Sequence, residues 1–395
     1  MLKSIKIRLE LNNKQKSMCA GHAGVSRHAY NQGLAYCIDS YNSGGTKLPT
    51  SIDLHKWLVA TVKKDNPWYY NYSKCSPQEA LRNLEKAYRT FFKNKKGFPK
   101  FKKKGQRDSF YLEGNIQIKD NKIKVPKFGW LKCSEIPPNV STKNVTISRV
   151  SNEWYISFRY EFTYIKTSKK YDSVGVDLGI KTLVTLSNGG SFENSKPYKN
   201  AKSKLRKQQK EVSRRFVKNT KNQSNNYKKS VLKLSKTHAK VANARKDYLH
   251  KITSYLTKNF DTVVIEDLKV KSMTKNHNLA SAILDGGFFE FKRQMLYKKE
   301  WYGGSVILAN SYFPSSKLCS GCNSKKDVLK LSEREYVCTE CGLAIDRDYN
   351  ASLNLKNLAV SSTVTAFGDK STGSHKKESQ LIDELGIKHQ VFTFV

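Results

Sequence analysis

Apolar and polar positions alternate from the first residues: Ile5, Ile7 and Leu9 lie between Lys6, Arg8 and Glu10, which predicts a half-buried strand. From about residue 12 to 93 the apolar spacing becomes helical, with Gly44-Gly45 and Pro67 as breaks. SPQEALRNLEKAYRTFF reads as a helix start, with Ser76 as N-cap, Pro77 as first helical residue and Glu79 as capping-box partner. Leu81, Leu84, Tyr88 and Phe91 then form one stripe, read as core. Residues 109–162 return to strands. IQIKDNKIKV reads as a hairpin turning at Asp120-Asn121, and VTISRVSNEWYISFRYEF as another turning at Ser151-Asn152. A strand, a helical insertion and more strands predict a β-barrel interrupted by a helical domain.

Beyond residue 170 the pattern changes. SVGVDLGIKTLVTLSNG, residues 173–189, reads as a buried hairpin through Val174, Val176, Leu178, Ile180, Leu183, Val184 and Leu186, yet Asp177 sits in its middle. Residues 199–258 predict a basic helical hairpin. Leu205, Gln209, Val212 and Phe216 mark one arm; Tyr227, Val231, Leu234, His238, Val241, Tyr248, Ile252 and Tyr255 mark the other. DTVVIEDLKV (261–270) and SVILAN (305–310) read as further strands, so strands alternate with helices and an α/β sheet follows. From about 360 the chain reads as a polar, flexible tail.

Charge narrows the partners. Lys and Arg number 72 against 33 Asp and Glu, a net charge of +39. A compact chain so charged repels itself, and a polyanion is its natural partner. Nucleic acid is favoured over membrane because no apolar run reaches the roughly 18 residues of a spanning helix. In KNKKGFPKFKKKGQR (93–107), lysines interleave with Phe98 and Phe101, a pattern suited to a phosphate backbone. The opening MLKSIKIRLELNNKQ reads as a strand without the apolar core and cleavage site expected of a signal peptide, and Cys19, Cys37, Cys75 and Cys133 are scattered as reduced thiols of an intracellular protein would be.

The other cysteines are patterned. Cys319-Ser-Gly-Cys322, fifteen residues and Cys338-Thr-Glu-Cys341 have the spacing of a zinc ribbon, with one structural Zn²⁺ and no open coordination position. An ionised Asp177 among apolar residues needs a compensating cation. Glu266 and Asp267 end a later strand, and Asp346 and Asp348 in AIDRDYNASLNL open a helix. Carboxylates from separate elements meeting at one sheet edge suit two Mg²⁺ ions for phosphodiester hydrolysis. Spacing alone chooses neither Glu266 over Asp267 nor Asp348 over Asp346. GVDLG is also similar to the phosphate hairpin of actin-like ATPases, but the second glycine-rich phosphate loop that reading requires is missing from the sequence, and the charge would have no role.

VGVDLGIKTLVTLSNG, VVIEDLKV, SSKLCSGC…CTECG and DRDYNASLNL, in that order, together with GFPKFKKK, resemble the TnpB proteins of insertion sequences, relatives of type V CRISPR effector nucleases. The resemblance covers mainly residues 170–358. It implies a multidomain α+β and α/β chain: a wedge-like β-barrel (1–10 and 106–168) interrupted by a helical recognition domain (11–105). A ribonuclease H-like RuvC nuclease domain (169–312 and 343–360) follows, with an inserted four-cysteine zinc ribbon (313–342) and a tail (361–395). It further implies Asp177, Glu266 and Asp348 as catalytic ligands of two Mg²⁺, and Cys319, Cys322, Cys338 and Cys341 as ligands of Zn²⁺. Lys269 and Lys271 read equally as a gating loop or as surface lysines. The implied activity is guide-RNA-directed cleavage of double-stranded DNA beside a short motif, by a monomeric cytoplasmic ribonucleoprotein associated with the nucleoid. A guided repressor without cleavage and a transposase acting directly in strand transfer are the alternatives.

Overall fold

The N-terminal alternation becomes β1 (Leu2–Glu10), with Ile7 and Leu9 buried. The computed structural model describes residues 1–44, 47–94, 97–163, 167–220, 222–330, 333–368 and 387–388, and the chain divides into units Met1–Thr163 and Tyr164–Val395. In the first unit β1 is followed by α1 (Asn13–Asn42), α2 (Ser51–Trp57), α3 (Lys63–Asp65) and α4 (Cys75–Asn94). The strands β2 (Ser109–Glu113), β3 (Gln117–Lys119), β4 (Lys122–Val125), β5 (Gly129–Cys133), β6 (Asn144–Val150) and β7 (Glu153–Glu161) complete it. Both expected turns form: Asp120 has φ 53° between β3 and β4, and Ser151 and Asn152 have φ 50° and 72° between β6 and β7. Positive φ at two consecutive residues matches the twist of a tight hairpin.

The strands form one seven-stranded sheet in the order β2-β6-β7-β1-β5-β4-β3. The expected closed barrel is not formed by this pairing: β2 and β3 are edges, and β3 is only three residues long with exposed ends. One core lies among the strands, through Leu112, Ile123, Leu131, Ile147 and Ile156, and another among the helices, through Leu34, Leu54, Leu58, Leu81 and Leu84. The expected cap at Ser76 is replaced. The helix starts at Cys75, the Ser76 hydroxyl donates to the Tyr111 carbonyl (3.0 Å), and Glu79 accepts from Arg82 instead. The basic stretch after α4 is partly docked. Lys102 stands 4.0 Å from the Tyr30 ring centroid, and its backbone N–H and carbonyl bond Asn31.

The second unit contains β8 (Tyr171–Asp177), β9 (Thr182–Leu186), β10 (Ser191–Glu193), α5 (Pro197–Arg215), α6 (Asn225–Asn259), β11 (Phe260–Glu266), α7 (Val270–Met273) and α8 (His277–Gly286). After these come α9 (Phe288–Tyr302), β12 (Ser305–Ala309), β13 (Glu335–Val337), β14 (Ala344–Asp346), α10 (Arg347–Gly368) and β15 (Ile387–Lys388). Its main sheet runs β10-β9-β8-β11-β12-β15, with β11 parallel to both β8 and β12 and the remaining pairs antiparallel. The basic hairpin is α5 and α6, but its seam is shifted. Gln208 is buried rather than Gln209, and Val231 and Tyr255 are exposed while Leu249, Ile252 and Leu256 are buried. The reason is that α6 changes partner along its length, from α5 to α9 and the sheet, so one regular stripe does not serve all of it. The chain stays helical to Gly368, past the point where a tail was expected, and most of that segment lies outside the described residues.

A glycine sets the seat of α10 on the sheet. A Cβ on Gly175 would lie 1.9 Å from the Ser352 carbonyl oxygen and 2.5 Å from the Lys356 nitrogen, so only glycine lets the helix backbone settle against β8. That contact is two residues from Asp177 and brings the start of α10 beside it.

Candidate functional site

Asp177 is the last residue of β8, Glu266 the last of β11, and Asp348 lies in the first turn of α10. The parallel pairing aligns Val176 with Ile265, so the two strands end together and their terminal carboxylates are neighbours. All three side chains are half-buried. Burial, then the charges of Glu266 and Asp348, push the Asp177 carboxyl up to about 8, with Arg347 opposing and Asp346 adding. Burial also raises Glu266, against a hydrogen bond from the Ser315 hydroxyl that lowers it. Carboxylates that repel one another in this way are a setting that a hard divalent cation would relieve.

The neighbouring acids have other partners. Asp267 is ion-paired with Lys292. Asp346 accepts from the backbone N–H groups of Asp348 (3.0 Å) and Tyr349 (2.9 Å), and so caps α10. Lys269 reaches toward Tyr312, 4.6 Å from the ring centroid, and Lys271 is exposed.

The four patterned cysteines come together. Among the described residues, this is the one group of three or more His, Cys, Asp or Glu whose donor atoms all lie within 4.8 Å of one another. Asp177, Glu266 and Asp348 do not form such a group. Cys319 and Cys341 sulfurs are 3.6 Å apart, as are those of Cys322 and Cys338. A disulfide would need about 2.05 Å, whereas four sulfurs about 2.3 Å from a tetrahedral zinc stand about 3.8 Å apart. The sulfurs therefore fit a metal ion such as zinc. The Ser324 hydroxyl, 3.1 Å from the Cys338 sulfur, and then backbone N–H groups lower that thiol, whereas, against a backbone hydrogen bond at Leu343, the Cys322 and Cys319 sulfurs raise Cys341. Away from the cluster, burial pushes Cys19 up to about 12 and Cys37 and Cys133 up to about 11, as expected of buried thiols.

Sequence reasoning missed the side chains behind this site. Ser315, Asn350 and Asn354 are buried and bonded to one another's segments. The available signal was two asparagines four residues apart, on one face of a helix whose neighbouring positions include Leu353, Leu355 and Leu358. No helix among the described residues is long and apolar enough to cross a membrane.

Known proteins match this chain along most of its length. Residues 157–277 match a family model described as "Probable transposase" (OrfB_IS605), 288–355 one described as "Cas12f1-like, TNB domain", and 1–46 one described as "Helix-turn-helix domain". The last stretch folds here as β1 and the single long α1. The "Putative RNA-guided DNA endonuclease InsQ" of Escherichia coli (strain K12) is 31% identical, over 93% of this chain and 94% of that protein. The "TnpB-like protein L770" of Acanthamoeba polyphaga mimivirus is 26% identical, over 63% of this chain and 54% of that one. A Cas12f1 chain, solved by cryo-EM in complex with sgRNA and target DNA, shares the fold with a TM-score of 0.57 at 13% identity, over 90% of this chain and 99% of that one. With the resemblance read from its motifs thus met along nearly its whole length, the chain belongs to the TnpB family, related to the type V effectors.

Proposed function

We propose that this protein is an RNA-guided DNA endonuclease whose RuvC-like site is formed by Asp177, Glu266 and Asp348. The observation that carries the reading is that Asp177 and Glu266 end adjacent parallel strands in register while Asp348 opens the helix seated on β8. Two Mg²⁺ ions held there would supply Lewis-acid activation of water and stabilisation of the leaving oxygen. The chain's own residues prepare that site. β8 and β11 fix two carboxylates side by side, Gly175 lets α10 bring the third, and Ser315 orients Glu266. Lys292 and the α10 N-terminus occupy Asp267 and Asp346, which leaves Asp348 as the third ligand.

Guide RNA and target DNA are the proposed partners, held by the +39 charge of the chain, of which the exposed lysines of α5 and α6 are a large share. Base pairing reads the sequence, and the protein reads a short adjacent motif. The wedge-like and helical parts of the first unit, the RuvC part of the second and a zinc-bound ribbon over 313–342 retain the roles expected above. The test is a purified ribonucleoprotein given matched and mismatched duplexes. Cleavage of the matched duplex alone, dependent on Mg²⁺, is expected. Joined transposon ends formed without RNA, or guided binding with no nick, would overturn the proposal.

A further inference from the structure

The helix that carries Asp348 also grips the first cysteine knuckle. Asn350 and Asn354 lie four residues apart on α10, hence on one face, and both are buried. The Asn350 amide donates to the Leu318 carbonyl (2.7 Å), and its oxygen accepts from the Ser320 N–H (3.0 Å). Leu318 and Ser320 flank Cys319. The Asn354 amide donates to the same Leu318 carbonyl (2.8 Å) and to the Ser315 carbonyl (2.7 Å). Ser315, itself buried, donates its hydroxyl to Glu266. Two buried asparagines in a helix are unfavourable unless their amides are satisfied, and here their side chains bond one segment, 315–320.

We propose that Ser315, Asn350 and Asn354 are positioning residues that couple the four-cysteine cluster to the carboxylate site. Metal at the cysteines would fix segment 315–320, and that segment would hold Glu266 beside Asp348 for a divalent cation. The inference rests on the reading of the carboxylates as a cation site and adds a dependence between the two centres. Coupling of this kind is reciprocal, so each metal tightens the other.

The test measures Mn²⁺ binding to the full-length protein by electron paramagnetic resonance, alongside zinc content and thermal unfolding. Ser315→Ala is expected to weaken Mn²⁺ binding about tenfold, the usual effect of losing a partner of a metal ligand, with zinc content and unfolding temperature unchanged. Ser315→Thr, which keeps the hydroxyl, restores it. Removing zinc with a thiol reagent weakens Mn²⁺ binding in the wild type by a similar factor, and adds little in Asn354→Leu. Unchanged Mn²⁺ affinity after zinc removal, or in Ser315→Ala, overturns the coupling. Asp177→Asn separates the two readings. If it leaves Mn²⁺ binding intact, the carboxylate site itself is wrong; if it alone abolishes binding, the site stands and the coupling fails.

Discussion

Replacing Asp177 with Asn should make the magnesium-free protein more stable, although it removes a proposed active-site group. In the unfolded chain the carboxyl ionises near its ordinary value of 3.8, whereas in the fold it is held up to about 8. Between those values the folded chain keeps a proton that the unfolded chain has released, so wild-type stability falls as pH rises through that window. At pH 7 the difference amounts to at most about 1.36 kcal/mol per pH unit, or roughly 4 kcal/mol. Solvent screening of a half-buried group reduces this, and about 2 kcal/mol is the expected remainder. The amide has no such penalty, so Asp177→Asn should raise the unfolding temperature by roughly 4–8 °C at pH 7. The gain should shrink toward pH 4 and level off above about pH 8. Thermal melts of both proteins at pH 5, 7 and 8.5 read the difference directly. Added Mg²⁺ should then stabilise the wild type and not the variant. A variant less stable than wild type at pH 8.5, or a difference independent of pH, would refute the argument.

Further outcomes follow from the same geometry. Cys338→Ser should leave less than one zinc per chain and lower the unfolding temperature, measured by metal analysis and melting; full zinc content would contradict the four-sulfur centre. Gly175→Ala forces a Cβ to 1.9 Å from the Ser352 oxygen and should destabilise by about 3 kcal/mol, seen in denaturant unfolding, because backbone rather than a flexible side chain must move. Asp346→Ala should cost about 1 kcal/mol of helix capping yet retain guided cleavage, whereas Asp348→Ala should lose cleavage. Equal loss in both would remove the distinction between the two acids.

Much of the fold was legible because its signals are local. The hairpin turns at Asp120-Asn121 and Ser151-Asn152 form where residues tolerant of positive φ interrupt alternating strands. The cysteine pairs carry their geometry in their spacing. Asp177 stood out because a carboxylate in an apolar strand needs compensation. The choices between Glu266 and Asp267, and between Asp346 and Asp348, were not legible from spacing, because the members of each pair share one short segment. In the fold the members differ in the partner each one takes: Lys292 on the distant α9 pairs with Asp267, whereas Asp346 accepts from the backbone N–H groups of Asp348 and Tyr349, two and three residues on. The cap assigned to Ser76 failed for a similar reason, since the Tyr111 carbonyl on β2 engages its hydroxyl. The expected barrel is unconfirmed, since the strand pairing leaves β2 and β3 as edges, and the uniform seam on α6 was an extrapolation of periodicity along a helix that changes partners.

The most direct measurement is single-turnover cleavage of a guide-matched duplex in Mg²⁺ by the wild-type ribonucleoprotein and by Asp177→Ala, with RNA and target binding measured on the same preparations. The account predicts binding within about threefold of wild type and cleavage lost by at least a thousandfold, about 4 kcal/mol of transition-state stabilisation. Cleavage by Asp177→Ala at the wild-type rate would contradict it.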